Sequence, residues 1–293
     1  VRAQANVCNQ ATATIISQAD ATAYASCSTI SGSVLVSSEA LAEISLDGPS
    51  SITGDLDVNN AGGLTSLSSA TISTIGGTFN LQNLTTLSTL QFNELTNVKT
   101  ILWIALPALA EITFPNGPIE AQSITISNTY LSSLDDFATG VTSTVNINNN
   151  NYLTTANLTV SSVTTALSFT SNGNRAQLSL PNLIWAANIT AENCSQLSLP
   201  SMTVVNGTFG LYGNSFSSFT APKMKSVGAF ANGEGSLIIS SNTALGNLSM
   251  PLLSSVGDVL QISGNTVLQA ISLPALMDVG MISLIGNFST SVP

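Results

Sequence analysis

This sequence predicts an all-β-dominated fold, a right-handed parallel β-solenoid with a short N-terminal capping helix. Three observations carry the prediction: a motif that returns about every 22 residues, a short strand of alternating apolar residues within each copy, and an asparagine close behind each strand.

The motif is clearest near the C-terminus. Leu273-Pro274-Ala275-Leu276 is followed by Val279-Gly280, then Ile282-Ser283-Leu284, then Asn287. Met250-Pro251-Leu252-Leu253 leads in the same order to Val256-Gly257, Leu260-Gln261-Ile262 and Asn265. Further copies open at Ala221-Pro222, Leu199-Pro200 and Leu180-Pro181, and the steps between successive prolines are 19, 22, 29 and 23 residues. The longest step holds Ala231-Asn232-Gly233-Glu234-Gly235, a loop-like insertion. Towards the N-terminus the proline fades, but strand and asparagine persist in Leu56-Asp57-Val58 to Asn60, Phe79-Asn80-Leu81 to Asn83, Ile124-Thr125-Ile126 to Asn128, and Val145-Asn146-Ile147 to Asn149. A rung at Leu102-Trp103-Ile104 lacks its asparagine. The total is about eleven rungs.

Alternation turns one set of side chains inward, and repeating the strand at this period stacks it into a parallel sheet. The asparagines are expected to form an internal ladder, each amide satisfying the turn of a neighbouring rung. No rung buries its apolar face alone, so the ends need covering. Ala11 to Tyr24 reads as a helical cap, with Ile15, Ile16, Ala19 and Ala23 at helical spacing. The expected organisation is a cap over 1–30 and a continuous solenoid over 31–293, one domain overall, with no C-terminal cap visible.

Composition restricts function. Charged residues are 7% of the chain, against roughly 25% in ordinary domains, so the surface is made of hydroxyls and amides. Five basic residues face fifteen acidic ones, for a net charge of −10. That balance excludes nucleic acid, which needs Lys and Arg to displace counterions, and disfavours an anionic membrane surface. The absence of histidine removes Ser-His-Asp and Cys-His nucleophile systems and the commonest transition-metal ligand. Nothing calls for a cofactor or a metal ion. No apolar run is long enough to cross a bilayer, and a chain opening at Val1 is expected to be a processed or trimmed form.

Cys8 and Cys27 flank the cap, and a disulfide between them would close a loop of about 20 residues, worth ~3 kcal/mol in the chain-entropy model. The secreted character of the composition favours that bond. Cys194 stands alone, with no Lys or Arg near it in sequence to lower its pKa, and reads as a small buried hydrophobe.

The Cys8 to Cys27 cap, the Leu-x-Leu-Pro-x-Leu-x-x-Val-Gly consensus, the asparagine-ended strands and the low-charge Ser/Thr-rich composition resemble the receptor L-domain type of leucine-rich repeat. More narrowly, the chain resembles the fungal GPI-anchored cell-wall organisation proteins of the extracellular-mutant and sporulation-specific family, from about Cys8 to Asn287. The resemblance implies a non-enzymatic glycoprotein of the cell wall and the outer face of the plasma membrane, required for wall organisation and integrity. It also implies a Ser/Thr-rich stalk and a GPI signal after Pro293, which would supply the membrane attachment. Wall glycans or other wall and surface proteins are the partners to be expected; nothing in the sequence speaks to oligomeric state.

Seven Asn-x-Ser/Thr sequons occur. Asn157, Asn188, Asn206 and Asn247 lie off the ladder and are the better acceptors. Asn83, Asn193 and Asn287 lie at the ladder position, where a buried amide would be closed to a glycan. The central outward residues of the strands form a candidate binding face, Asp57, Asn80, Trp103, Thr125 and Asn146 among them. Such a flat polar face with one aromatic suits a sugar or a peptide strand, which makes a carbohydrate- or peptide-binding receptor-like ectodomain the alternative function. Polysaccharide-cleaving β-helix enzymes are a minor alternative, since they use clustered carboxylates. Asp55 and Asp57 share one strand face and Asp135 and Asp136 one connection, yet no third acid recurs beside either pair, and no catalytic residue is assigned.

Overall fold

The computed structural model describes residues 7–229 and 233–286. They form two compact units, one running to Thr139 and taking in Asn149–Leu153, the other made of Gly140–Asn148 and the chain from Thr154 on. Each is a parallel β-solenoid.

In the first unit the strands Thr12–Ile15, Ser33–Val36, Leu56–Asn59, Thr74–Gln82, Asn97–Leu106 and Ile119–Thr129 pair in parallel. Register stacks like on like: Val34 beside Leu56, Leu56 beside Phe79, Phe79 beside Ile101, Ile101 beside Ile124, all buried. Every such side chain removed from water contributes about 1.5–3 kcal/mol. A second parallel sheet closes the other side of these rungs through Leu41–Ser45, Gly63–Ser69, Thr89–Phe92 and Glu111–Thr113.

The second unit repeats the plan in Thr159–Thr170, Ile189–Glu192, Phe209–Tyr212, Leu237–Ser240, Ser255–Ser263 and Asp278–Ile285. The repeated Leu-Pro-x-Leu is a β-turn with proline at its second position, where the fixed φ suits it. Leu183 N donates to Leu180 O at 3.3 Å, Leu253 N to Met250 O at 3.2 Å and Leu276 N to Leu273 O at 3.1 Å. Leu180 and Leu183 are both buried, so the turn caps a corner of the core. The last strand, Asp278–Ile285, pairs only with Ser255–Ser263 among the described residues, and Met277, Met281, Ile282 and Ile285 are exposed there.

The N-terminal cap differs from its prediction. Only Gln18–Ala23 is helical, opened by a capping box in which the Ser17 side chain accepts from Asp20 N and the Asp20 carboxylate accepts from Ser17 N. Thr12–Ile15 is a strand paired with Ser33–Val36. Its period of two, with Ala13 and Ile15 buried between exposed threonines, prevails over the helical spacing, and Ile16 faces solvent. The structure thus adds two rungs ahead of Leu56. The disulfide is present: Cys8 and Cys27 are bonded with their Cα atoms 5.6 Å apart, tying the chain before the first strand to the turn that follows the helix.

Candidate functional site

Register decides which residues share the outer face. Asp57 lies beside Asn80, Asn80 beside Leu102, and Leu102 beside Thr125, all half-buried. Trp103 lies beside Leu81 and Ile126 and is fully buried, so its expected place on the face belongs to Leu102. Its ring packs edge-on to Phe79 at 5.6 Å, stacks on Phe114 at 6.0 Å and leans on Phe137 at 5.4 Å. The indole Nε1 is buried with no hydrogen-bond partner. The rung is therefore Ile101-Leu102-Trp103, one residue earlier than expected. In the run Ile101 to Ile104 every residue is apolar, and period two loses its phase. Asn146 holds the corresponding place in the second unit and accepts from Asn148 Nδ2 at 2.7 Å.

Polar side chains on this face satisfy one another. Asp57 Oδ1 accepts from Asn80 Nδ2 at 2.9 Å and also from Asn59 Nδ2, while Gln82 Nε2 donates to Asn80 Oδ1 at 2.8 Å. Asp55 Oδ1 accepts from Thr78 N at 2.6 Å. In the second unit Tyr212 folds back over Gly210, where a Cβ would meet the phenol ring at 2.4 Å. Glycine is what lets that ring lie flat on the strand.

Behind the strands, the expected asparagine ladder resolves into two adjacent columns. Asn60, Asn83, Ala105, Asn128, Asn149, Ser171, Asn193 and Ser241 have φ between 53° and 60°, a left-handed corner that asparagine tolerates. The ladder proper is the next residue. Asn214 N donates to Asn242 Oδ1 and Asn242 N to Asn265 Oδ1, each at 2.8 Å, while Asn214 Nδ2 reaches Ala191 O and Asn242 Nδ2 reaches Leu211 O, each at 3.1 Å. Asn150 and Asn172 make the same bonds to Ile126 O and Ile147 O. Cys194 occupies a ladder position; burial pushes its thiol up to about 12. In the first three rungs with the corner, Ala61, Leu84 and Leu106 fill the place with hydrocarbon.

Asn83 and Asn193 are consequently exposed corner residues, not buried ladder amides. Asn206 and Asn247 are also exposed. Asn157 is half-buried, and the exposed Asn188 is engaged, donating to Thr165 O at 3.1 Å and accepting from Thr208 N at 3.0 Å. Asn287 lies outside the described residues.

The second carboxylate pair named in the sequence lies at a cleft, and an aromatic pair that the sequence does not signal lies close to it in the chain. Asp135 and Asp136 join Glu111, Ser132, Ser133 and Phe114 in lining an open cleft of about 530 Å³. Just before it in the chain, Tyr130 pairs with Tyr152, ring centroids 3.8 Å apart and planes tilted by 35°. They are the exposed aromatics among the described large apolar side chains, 41% and 54% accessible. Among the described residues no group of three His, Cys, Asp or Glu is placed to hold a metal ion.

The chain is 35% identical over 246 residues to protein ecm33 of Aspergillus fumigatus, covering 84% of this chain and 60% of that protein. It is 34% identical over 249 residues to a cell surface GPI-anchored protein of Arthroderma benhamiae, covering 85% and 62%. With cell wall mannoprotein PST1 of Saccharomyces cerevisiae it shares 32% over 212 residues, 72% of this chain and 47% of that protein. The chain thus spans less than two thirds of the length of these relatives. No family model matches it, and no solved structure does.

Proposed function

Because the chain belongs to the fungal family of cell-wall organisation proteins of the extracellular-mutant and sporulation-specific type, we propose that this cell-wall protein is a non-enzymatic, GPI-anchored glycoprotein needed for wall organisation and integrity. It works outside the cell, at the wall. The observation that supports a structural role is the use made of its polar groups. Asp55 and Asp57, the carboxylates a glycan-cleaving mechanism would need, accept hydrogen bonds along the stack from Thr78, Asn59 and Asn80. A rigid stack of rungs with a self-satisfied surface suits a spacer or scaffold.

Disrupting the gene in its host should make cells hypersensitive to wall-binding dyes, and phosphatidylinositol-specific phospholipase should release the protein from membranes. Normal dye tolerance would overturn the integrity role, and retention after lipase treatment the anchor. The strand-face receptor reading loses its aromatic, since Trp103 lies in the core.

A further inference from the structure

We propose that Tyr130 and Tyr152 form a stacking platform for a neutral β-linked hexopyranose chain, the polymer class of wall glucan and chitin. The proposal rests on the wall location above. Two large rings left about half in water forgo part of the roughly 1.5–3 kcal/mol that full burial contributes, whereas Phe79, Phe92, Trp103, Phe169, Phe209 and Phe219 are all taken inside.

The pair is held in place by the ladder beneath it. Thr129 N and Oγ1 both donate to Asn150 Oδ1, at 3.0 and 2.8 Å, and Asn150 Nδ2 donates to Ile126 O at 3.0 Å. Leu131 N donates to Thr129 Oγ1 at 3.3 Å and Leu153 N to Asn150 O at 3.0 Å. Leu131 and Leu153, each next to one tyrosine, are fully buried. Both phenols thus stand on backbone fixed from two sides, and a ligand orders little on binding. A hydrogen bond with the Tyr152 side chain that favours the protonated phenol raises Tyr130 above its ordinary pKa.

An exposed aromatic face is electron-rich and meets the C–H face of a pyranose, which carries partial positive charge. Ser132, Ser133, Asp135 and Asp136 follow Tyr130 closely in the chain and line a cleft of the same unit with hydroxyl and carboxylate groups, the polar chemistry that meets a sugar's hydroxyls. A net charge of −10 repels acidic polymers and leaves neutral ones unaffected.

Calorimetric titration of the purified chain with laminarihexaose and with chitohexaose tests this. Saturable binding of either is expected, weakened at least about tenfold in Tyr130→Ala and in Tyr152→Ala and preserved in Tyr152→Phe, with circular dichroism confirming that each variant is folded. No binding of either oligosaccharide at millimolar concentration overturns the platform, and so does binding indifferent to both alanines. Fractionation of the wild-type protein separates the two readings: absence from the wall fraction overturns the location, whereas retention there without oligosaccharide binding overturns the platform alone.

Discussion

The backbone N–H of Cys194 donates to Asn214 Oδ1 at 2.8 Å, so one place in a column of buried amides is held by a thiol. The thiol's own hydrogen-bond contact, to Glu192 O at 3.9 Å, is weak. Cys194→Asn should restore the column and stabilise the protein by about 1 kcal/mol, read from the denaturant midpoint. Destabilisation by that variant would show that the site is packed for sulfur.

The same thiol makes stability pH-dependent. Its folded pKa, about 12, lies above the ordinary value near 8.5. Stability from the neutral thiol is therefore complete below about pH 8.5 and lost as pH rises through the folded value. Urea midpoints of the wild type should fall between about pH 8 and 9.5, and those of Cys194→Asn should fall less. Equal falls would contradict the assignment.

Asn242 joins three rungs by accepting from Asn214, donating to Leu211 O and donating from its own backbone to Asn265 Oδ1. Asn242→Ala leaves the Asn214 N–H buried and unpaired. A loss of about 2–4 kcal/mol is expected, measured by equilibrium unfolding, against almost none for the exposed Asn247→Ala.

Trp103→Ala should cost about 3–5 kcal/mol through the cavity it opens among Phe79, Phe114 and Phe137. Trp103→Phe should cost far less, because it also removes the unpartnered indole N–H. Oligosaccharide binding should be unaffected by the phenylalanine variant, which separates the core tryptophan from any surface role.

Glycan occupancy is expected at Asn206 and Asn247, whose side chains are exposed, and to be low at Asn188, whose amide links two neighbouring rungs. Peptide mapping of the secreted protein after enzymatic deglycosylation in heavy water would show mass tags at the first two. Full occupancy at Asn188 would mean that the tie is made only after glycosylation.

Rung period, strand alternation and the Leu-Pro turn were legible because each recurs with one physical cause. The phase of single rungs was not. Ile101 to Ile104 is uniformly apolar, and only alignment of the left-handed Ala105 with Asn83 and Asn128 shows that Trp103 points inward. Asparagine also serves two adjacent positions for different reasons, backbone conformation at Asn149 and amide bonding at Asn150, and the sequence alone merges them. The first two rungs were missed since Thr12–Ile15 carries neither proline nor asparagine. The tyrosine pair leaves no local signal, because its partners are 22 residues apart and exposure is a property of the stack.

The asparagine column also has a mechanical consequence. Bonds that tie one rung to the next are loaded one after another when the chain is peeled from an end, so a tensile load is met by stepwise rupture. Asn242 and Asn265 are 23 residues apart, and releasing one such turn frees roughly 80 Å of extended chain. Peeled from an end, such a stack would lengthen in steps of one turn.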